Sequence, residues 1–352
     1  MNLDTNSGKV YISFNQTEEY ACFGTPIGFY IYCLNPFKKI LSRKISGGVS
    51  IVKMLYNSNI IVFTGRTKKS LYPNNKLIVW DDSKKSVLGE IQYNTPILNV
   101  YVTKNYIVVL IEKKIFVYAF ESLNVVKTIN VNTVSPNKLV CIGLEKSNNL
   151  IYTGDKIGTI NITKLDQDYL DVIEAHNNHI EHLYLNNNGK YIVSASERGT
   201  IIRLFCAKTK EKINEFRRGS DTTKIVDIKM SRKNSLILIS SVKGTIHIYN
   251  SGVNKKLKIE NPSFDNYGVP YMKWALPQYF SDKWSFSQFS FENVTTYSVF
   301  DTKQKFRIFS FGNNGQFYEL NFSDKNNPVV DKAIKYISDE NDPFSERTTT
   351  IK

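Results

Sequence analysis

Two arginines stand side by side at Arg217 and Arg218, inside Phe216-Arg217-Arg218-Gly219. On an extended chain, successive side chains project to opposite faces, so such a pair serves two niches rather than one. A planar guanidinium makes paired, charge-assisted hydrogen bonds to phosphate. The chemistry on offer is therefore recognition of two phosphate groups, one on each side. Hydroxyls flank the pair. Ser196 and Thr200 precede it in Ser-Glu-Arg-Gly-Thr, and Ser241 and Thr245 follow it in Ser-Val-Lys-Gly-Thr, 45 residues further on. The stretch upstream, Asp155-Lys-Ile-Gly-Thr159, has a carboxylate where the later two have serine. Its charge would repel phosphate, which confines the pattern to two units. His176 and His247 add ring donors. An imidazole beside a dianion should charge, so anion binding is expected to tighten below about pH 6.5.

These residues need a scaffold that brings two distant segments to either side of one strand, and the sequence repeats in a way that supplies it. A short aromatic or β-branched strand recurs as FYIY at 29–32, LIVW at 77–80, IFVY at 115–118, INIT at 160–163, IIRL at 201–204, IHIY at 246–249 and FYEL at 317–320. The intervals are 48, 38, 45, 41, 45 and 71 residues. Seven units of roughly 40–45 residues, each with room for four strands, is propeller spacing. Helical repeats of this length would need apolar residues three and four apart, and these segments alternate or run as continuous β-branched stretches. The expected fold is all-β, a seven-bladed propeller of four-stranded antiparallel blades. The 71-residue interval implies a long insertion over 250–283, polar and basic first, then aromatic and apolar. Long loops in compact domains are commonly functional; the plain alternative is that the aromatic half packs back on the ring.

Composition narrows the class. The 352 residues include 21 Phe, 21 Tyr and 3 Trp, too aromatic for a disordered chain. No apolar run approaches the ~20 residues of a membrane span, and the polar amino terminus does not read as a secretory leader. The formal charge of +14 draws the protein toward anionic partners, nucleic acid or a negatively charged lipid surface. The four cysteines, Cys22, Cys33, Cys141 and Cys206, are scattered and suggest a reduced compartment.

Other readings of the same residues carry weight. Gly-Thr before a propeller strand is ordinary turn chemistry, and an arginine pair on an exposed strand is commonly only solvated. His176, His179 and His182 form HxxHxxH, but the segment reads as turn then strand rather than helix, so no metal site is expected and His182 reads as a strand residue satisfied within the sheet. No Ser-His-Asp set or Gly-rich phosphate loop is present at usable spacing, so no catalysis is expected. The rival function is a basic propeller scaffold that binds RNA or acidic protein surfaces without lipid selectivity, betrayed by steep salt dependence alone.

Around the arginines the chain resembles the PROPPIN family, the WIPI-type propellers. The match extends through AHNNHIEHLYLNNNGKYIVSASERGTIIRLF before the motif and SSVKGTIHIYN after it, and through LYPNNKLIVWDD at 71–82 and YFSDKWSFSQF at 279–289. The resemblance implies a phosphoinositide effector with two head-group sites. Site one would comprise His176, Ser196, Thr200, Arg203 and Arg217; site two would comprise Arg218, Ser241, Thr245 and His247. It implies phosphatidylinositol 3-phosphate (PtdIns3P) and the 3,5-bisphosphate as ligands. It also implies insertion of the 250–283 loop into the bilayer, with Val269, Tyr271, Met272, Trp274 and Leu276 as the entering residues. The family binds an autophagy lipid-transfer protein at the second and third blades, where Arg66 to Asn75 is the matching loop. The chain is thus expected to be a cytoplasmic monomer without cofactor or nucleic acid, peripheral on phagophore, endosomal or vacuolar membranes. Its propeller is expected over 1–338, with a polar, disordered tail at 339–352.

Overall fold

The computed structural model describes residues 2–5, 8–131, 139–144, 147–254, 257–263 and 283–336. The strands form seven antiparallel sheets. Blade one contains β1 (Asn2–Thr5), β2 (Gly8–Phe14), β3 (Tyr20–Thr25), β4 (Gly28–Leu34) and β5 (Phe37–Lys44). Blade two contains β6 (Val49–Met54), β7 (Ile60–Gly65), β8 (Lys76–Asp81) and β9 (Ser86–Gln92). Blade three contains β10 (Asn99–Val102), β11 (Tyr106–Leu110), β12 (Lys114–Ala119) and β13 (Val125–Asn130). Blade four contains β14 (Val140–Ile142), β15 (Asn149–Thr153), β16 (Thr159–Lys164) and β17 (Leu170–Glu174). Blade five contains β18 (Ile180–Leu185), β19 (Tyr191–Ser196), β20 (Ile201–Cys206) and β21 (Lys212–Arg217). Blade six contains β22 (Ile225–Met230), β23 (Leu236–Ser241), β24 (Thr245–Asn250) and β25 (Ser287–Ser290). Blade seven contains β26 (Thr296–Phe300), β27 (Arg307–Gly312), β28 (Gln316–Asn321) and β29 (Val329–Lys335).

All seven recurring segments fall on the last strand but one of their blades, β4, β8, β12, β16, β20, β24 and β28; blade one has a fifth strand, β1, ahead of the four that the other blades share. The middle strands are buried on both faces because each blade is sandwiched between two others; β23, for example, is buried at every residue from Leu236 to Ser241. Outer strands alternate, as β5 does, since one edge meets water. The core is accordingly a set of inter-blade layers. One joins blades four and five through Ile173, Ala175, Ile192 and Phe205. The next joins blades five and six through Val193, Ile202, Phe216, Ile239 and Tyr249.

The Gly-Thr steps have a steric cause. Gly199 and Gly244 occupy the left-handed region, with φ of +60° and +80°, where an L side chain is strained. A Cβ there would also strike a carbonyl oxygen of the link to the next blade, that of Thr223 or of Phe291. The hairpin therefore packs directly against the link, and glycine is needed for both reasons.

In blade six, β24 ends at Asn250 and β25 begins at Ser287. The described beginning of the intervening segment packs back on the blade. Leu257 is buried in the layer between blades six and seven, and Asn261 Nδ2 donates to the Asn250 carbonyl at 2.7 Å. The residues expected to enter the bilayer, Val269, Tyr271, Met272, Trp274 and Leu276, lie outside the described residues, as does the segment 339–352.

Candidate functional site

Strand register divides the two arginines. Ile201 pairs with Arg217, Arg203 with Glu215, and Phe216 with Ile202. Phe216 belongs to the layer facing blade six. Its neighbour Arg217 therefore shares a face with Arg203, Glu215 and, through the Ser194–Arg203 pair, Ser194. That face turns toward blade four, since Ile192 and Phe205 on it pack on Ile173 and Ala175. Arg218 continues past the strand in the opposite sense. Its backbone amide donates to the Thr200 carbonyl at 2.8 Å, and its guanidinium Nε donates to the Gly199 carbonyl at 3.0 Å. A second guanidinium nitrogen donates to the Asp221 carbonyl.

The niche between blades four and five is built around Arg203. Its Nε donates to Glu215 Oε2 at 2.7 Å and its Nη1 to the Ala175 carbonyl at 2.6 Å. Its second terminal nitrogen has no partner among the described residues. Glu215 also meets Lys212 at 2.9 Å. Burial pushes the Glu215 carboxyl up, but Lys212 and Arg203 together hold it below the ordinary range. His176, in the link from β17 to β18, meets Ser194 through Nε2 at 2.9 Å. Ser196 is buried beside the hairpin. Thr200 does not join this set through its backbone, since it lies opposite Arg218. The ladder explains why. Ala195 pairs with Ile202, whereas Ser240 pairs with Ile246. The fifth-blade hairpin is thus one residue longer, and the 45-residue equivalence of Thr200 and Thr245 breaks there.

The niche between blades five and six is simpler. Ser241, Thr245 and His247 share the face of blade six that carries Ile239 and Tyr249 toward blade five. The hydroxyls of Ser241 and Thr245 lie 2.8 Å apart. His247 Nδ1 lies 3.1 Å from Ser285 Oγ, and its ring is 6.3 Å from that of Tyr249. The Tyr249 hydroxyl donates to the Arg217 carbonyl at 3.1 Å, tying the arginine step to blade six. The Arg217 amide donates to the Lys283 carbonyl at 2.8 Å. The far end of the long insertion therefore returns beside the arginines.

Ser194, Glu215 and Ser285 escaped the sequence reading. Glu215 was findable, because a residue two before Arg217 on a strand must share its face. Ser194 required the register, and Ser285, across an insertion of uncertain length, gave no signal.

Both site histidines are held neutral. Burial, with the Arg203 charge adding, pushes His176 down to about 4; burial and Arg218 do the same to His247. Tightening of anion binding at mildly acid pH therefore requires the bound anion itself to raise these values. With the niches empty, proton uptake falls near pH 4, and only an anion that itself raises these values would move it upward. Each folded value lies below the unfolded 6.5, so the stabilising contribution is complete above pH 6.5 and declines as pH falls toward 4. At pH 5 the loss is about 2 kcal/mol per histidine. Glu18, pushed up to about 7 by burial, works in the opposite direction. The histidine part is therefore read as a difference. Between pH 7.5 and 5.0 the urea midpoint should drop more in the native chain than in His176→Gln with His247→Gln, and equal drops would assign the acid lability elsewhere.

Of the remaining expected features, Arg66 to Asn75 forms the hairpin between β7 and β8 of blade two, with Leu71 exposed at 63% and Ser70 Oγ anchored to the Gly47 carbonyl at 2.7 Å. His182 sits at a register shift of β18, and its Nδ1 has no hydrogen-bond partner among the described residues. The ring does hydrogen-bond the Val226 backbone of β22, so the sheet satisfies it in part, as expected from sequence. Among the described residues no three His, Cys, Asp or Glu side chains converge as metal ligands.

The fold and these niches define a class: a seven-bladed propeller with arginine, histidine and hydroxyl groups at two neighbouring blade junctions. The family model described as PROPPIN matches residues 9–286, and this chain belongs to that family. It is 30% identical over 294 residues to "Autophagy-related protein 18e" of Arabidopsis thaliana, covering 82% of this chain and 77% of the relative. It is 32% identical over 289 residues to "SVP1-like protein 2" of Pichia angusta, covering 78% of each. Among solved structures, Kluyveromyces lactis Hsv2 superposes with a TM-score of 0.74 at 22% identity, covering 95% of this chain and 99% of that one. KlAtg21, in its complex with the coiled-coil of AgAtg16, superposes with a TM-score of 0.76 at 21% identity over 95% and 99% of the chains. These structural likenesses speak to the fold.

Proposed function

We propose that this chain is a non-enzymatic phosphoinositide effector, recruited to membranes bearing PtdIns3P or PtdIns(3,5)P2 and acting as a scaffold in autophagy-type membrane trafficking. The observation that carries the reading is the division of Arg217 and Arg218 between two blade junctions, each with a buried neutral histidine and hydroxyls beside it. Membership of a family whose relatives are named autophagy-related supports the setting. In site one, Glu215 fixes Arg203 so that one edge of its guanidinium stays open to a phosphate, with Arg217 on the same face. In site two, Arg218 meets the phosphate beside Ser241, Thr245 and His247.

The 250–283 loop would supply the third contact, each apolar side chain entering the bilayer being worth about 1.5–3 kcal/mol. Single membrane signals give marginal, reversible attachment, and several together hold. On this reading the protein sits peripherally on phagophore, endosomal or vacuolar membranes, and the Arg66 to Asn75 hairpin offers a lipid-transfer partner its docking point. Flotation with vesicles that each carry one phosphoinositide, matched for total charge, tests the assignment. Binding should concentrate on PtdIns3P and PtdIns(3,5)P2. Equal binding to every anionic vesicle, removed by salt, would instead establish the basic scaffold without lipid selectivity.

A further inference from the structure

On the propeller axis β2 of blade one and the first strands of blades two to six enclose a cavity of about 340 Å³, whose lining shares no residue with the two niches described above. Two lysines line it, Lys53 of β6 and Lys229 of β22. Each ammonium is held by aromatic faces. Lys53 Nζ lies 5.5 Å from the ring centre of Tyr11 and 5.8 Å from that of Tyr101. Lys229 Nζ lies 5.8 Å from Phe14 and 5.7 Å from Tyr184. Lys229 also has a carboxylate, Asp227 Oδ1, at 3.2 Å. Lys53 has none, and among the described residues its ammonium makes no hydrogen bond.

Ring faces attract a cation but accept its N–H bonds poorly. A cation removed from bulk water without acceptors is costly unless an anion joins it. The acids of the cavity do not cancel the lysines. Asp227 is matched to Lys229, and burial holds the Glu18 carboxyl up at about 7, so near neutrality it carries only part of a charge. Burial and the neighbouring Lys229 bring Lys53 down to about 8, which still leaves it mostly charged at pH 7. The site thus has an excess of positive charge, N–H donors without acceptors and room for a small molecule.

We infer that the axial cavity binds a small oxyanion, of the size and charge of inorganic phosphate, between Lys53 and Lys229. The anion accepts from the Lys53 ammonium and shares Lys229 with Asp227, while the four rings exclude competing water. It stabilises the ring from inside, because it ties the first strands of blades two and six across the axis.

Inorganic phosphate is the probe, and the full chain carrying Arg217→Thr and Arg218→Thr is the background, so that the blade junctions cannot report. Titration at constant ionic strength, followed calorimetrically and by ³¹P line width, should show one saturable site, with a thermal midpoint higher in phosphate than in chloride. Lys53→Met keeps the length of the side chain and should weaken the affinity at least tenfold. Lys53→Gln, which retains a polar tip, should do the same and serves if the methionine variant fails to fold. Vesicles with PtdIns3P, whose head groups are fixed to a bilayer, should leave the phosphate signal unchanged. Absence of a saturable site, undiminished affinity in the Lys53 variants, or displacement by the vesicles would each overturn the assignment.

Discussion

Replacing Arg217 and Arg218 together by threonine should abolish flotation of this protein with PtdIns3P vesicles, with apparent affinity falling by roughly two orders of magnitude or more. A hydrogen bond from a charged donor contributes about 1.5–3 kcal/mol, and each arginine can make two to one phosphate. Because the arginines face different junctions, the double change empties both sites, and the gain from a second, intramolecular binding event disappears with them. The single changes should separate two effects. Arg217 is half-buried at the end of β21, and Arg217→Thr should weaken lipid binding. Arg218 is only 8% exposed and donates to the carbonyls of Gly199 and Asp221. Arg218→Thr should therefore lower stability as well, by about 1–3 kcal/mol for the carbonyls left without donors. Circular dichroism and the urea midpoint distinguish a folded, lipid-blind protein from a damaged one. A folded double variant that floats like the native chain would end the phosphoinositide reading.

The blade count and the strand next to each blade's outer edge could be read from the chain, because an inter-blade strand is buried on both faces and so repeats as FYIY, LIVW or IHIY. The opposed directions of Arg217 and Arg218 were legible for a related reason: side-chain alternation is a property of the backbone, independent of context. Hairpin length is another matter. The extra residue between Ala195 and Ile202 is invisible in Ser-x-x-Gly-Thr, which reads identically in the two blades. It moves Thr200 to the level of Arg218, so spacing alone put that hydroxyl beside Arg217. The histidines mark the same limit in electrostatics. Residue type suggested a titration near pH 6.5, but burial, which no local pattern reports, takes both values to about 4. Glu215 shows how residue type alone can mislead in the proposed site: its carboxylate is paired with Arg203 and Lys212, and it holds the Arg203 guanidinium in place.

The ring closes between blades one and seven, which are remote in sequence. All strands of blade one come from the amino-terminal end and all of blade seven from the carboxy-terminal end, so among the described residues no strand crosses the junction between them. Covalent continuity joins every other pair of neighbouring blades, while this pair relies on packing and a long hydrogen bond from Asn35 Nδ2 to Asp301 Oδ2 at 3.5 Å. The sequence has concentrated aromatic side chains there. Phe37 stacks on Phe317 with ring centres 3.9 Å apart, and Phe311 meets Phe23 at 5.1 Å and Tyr336 at 5.1 Å, both edge-on. Phe23, Phe311 and Phe317 are fully buried. Phe311→Ala should cost about 3–5 kcal/mol from lost transfer energy and the cavity left behind, with each lost edge-on pair adding about 0.5–1.5 kcal/mol. The comparison that isolates closure is Phe63→Ala, an equally buried ring in the layer shared by blades one, two and three. Both variants should lower the urea midpoint, but only Phe311→Ala should open the ring at one place. Hydrogen exchange should then accelerate in β2–β5 and β26–β29 while β11, β15 and β19 stay protected. Uniform acceleration around the ring, matching that of Phe63→Ala, would mean that the aromatic junction is ordinary core and that the propeller loses its blades together.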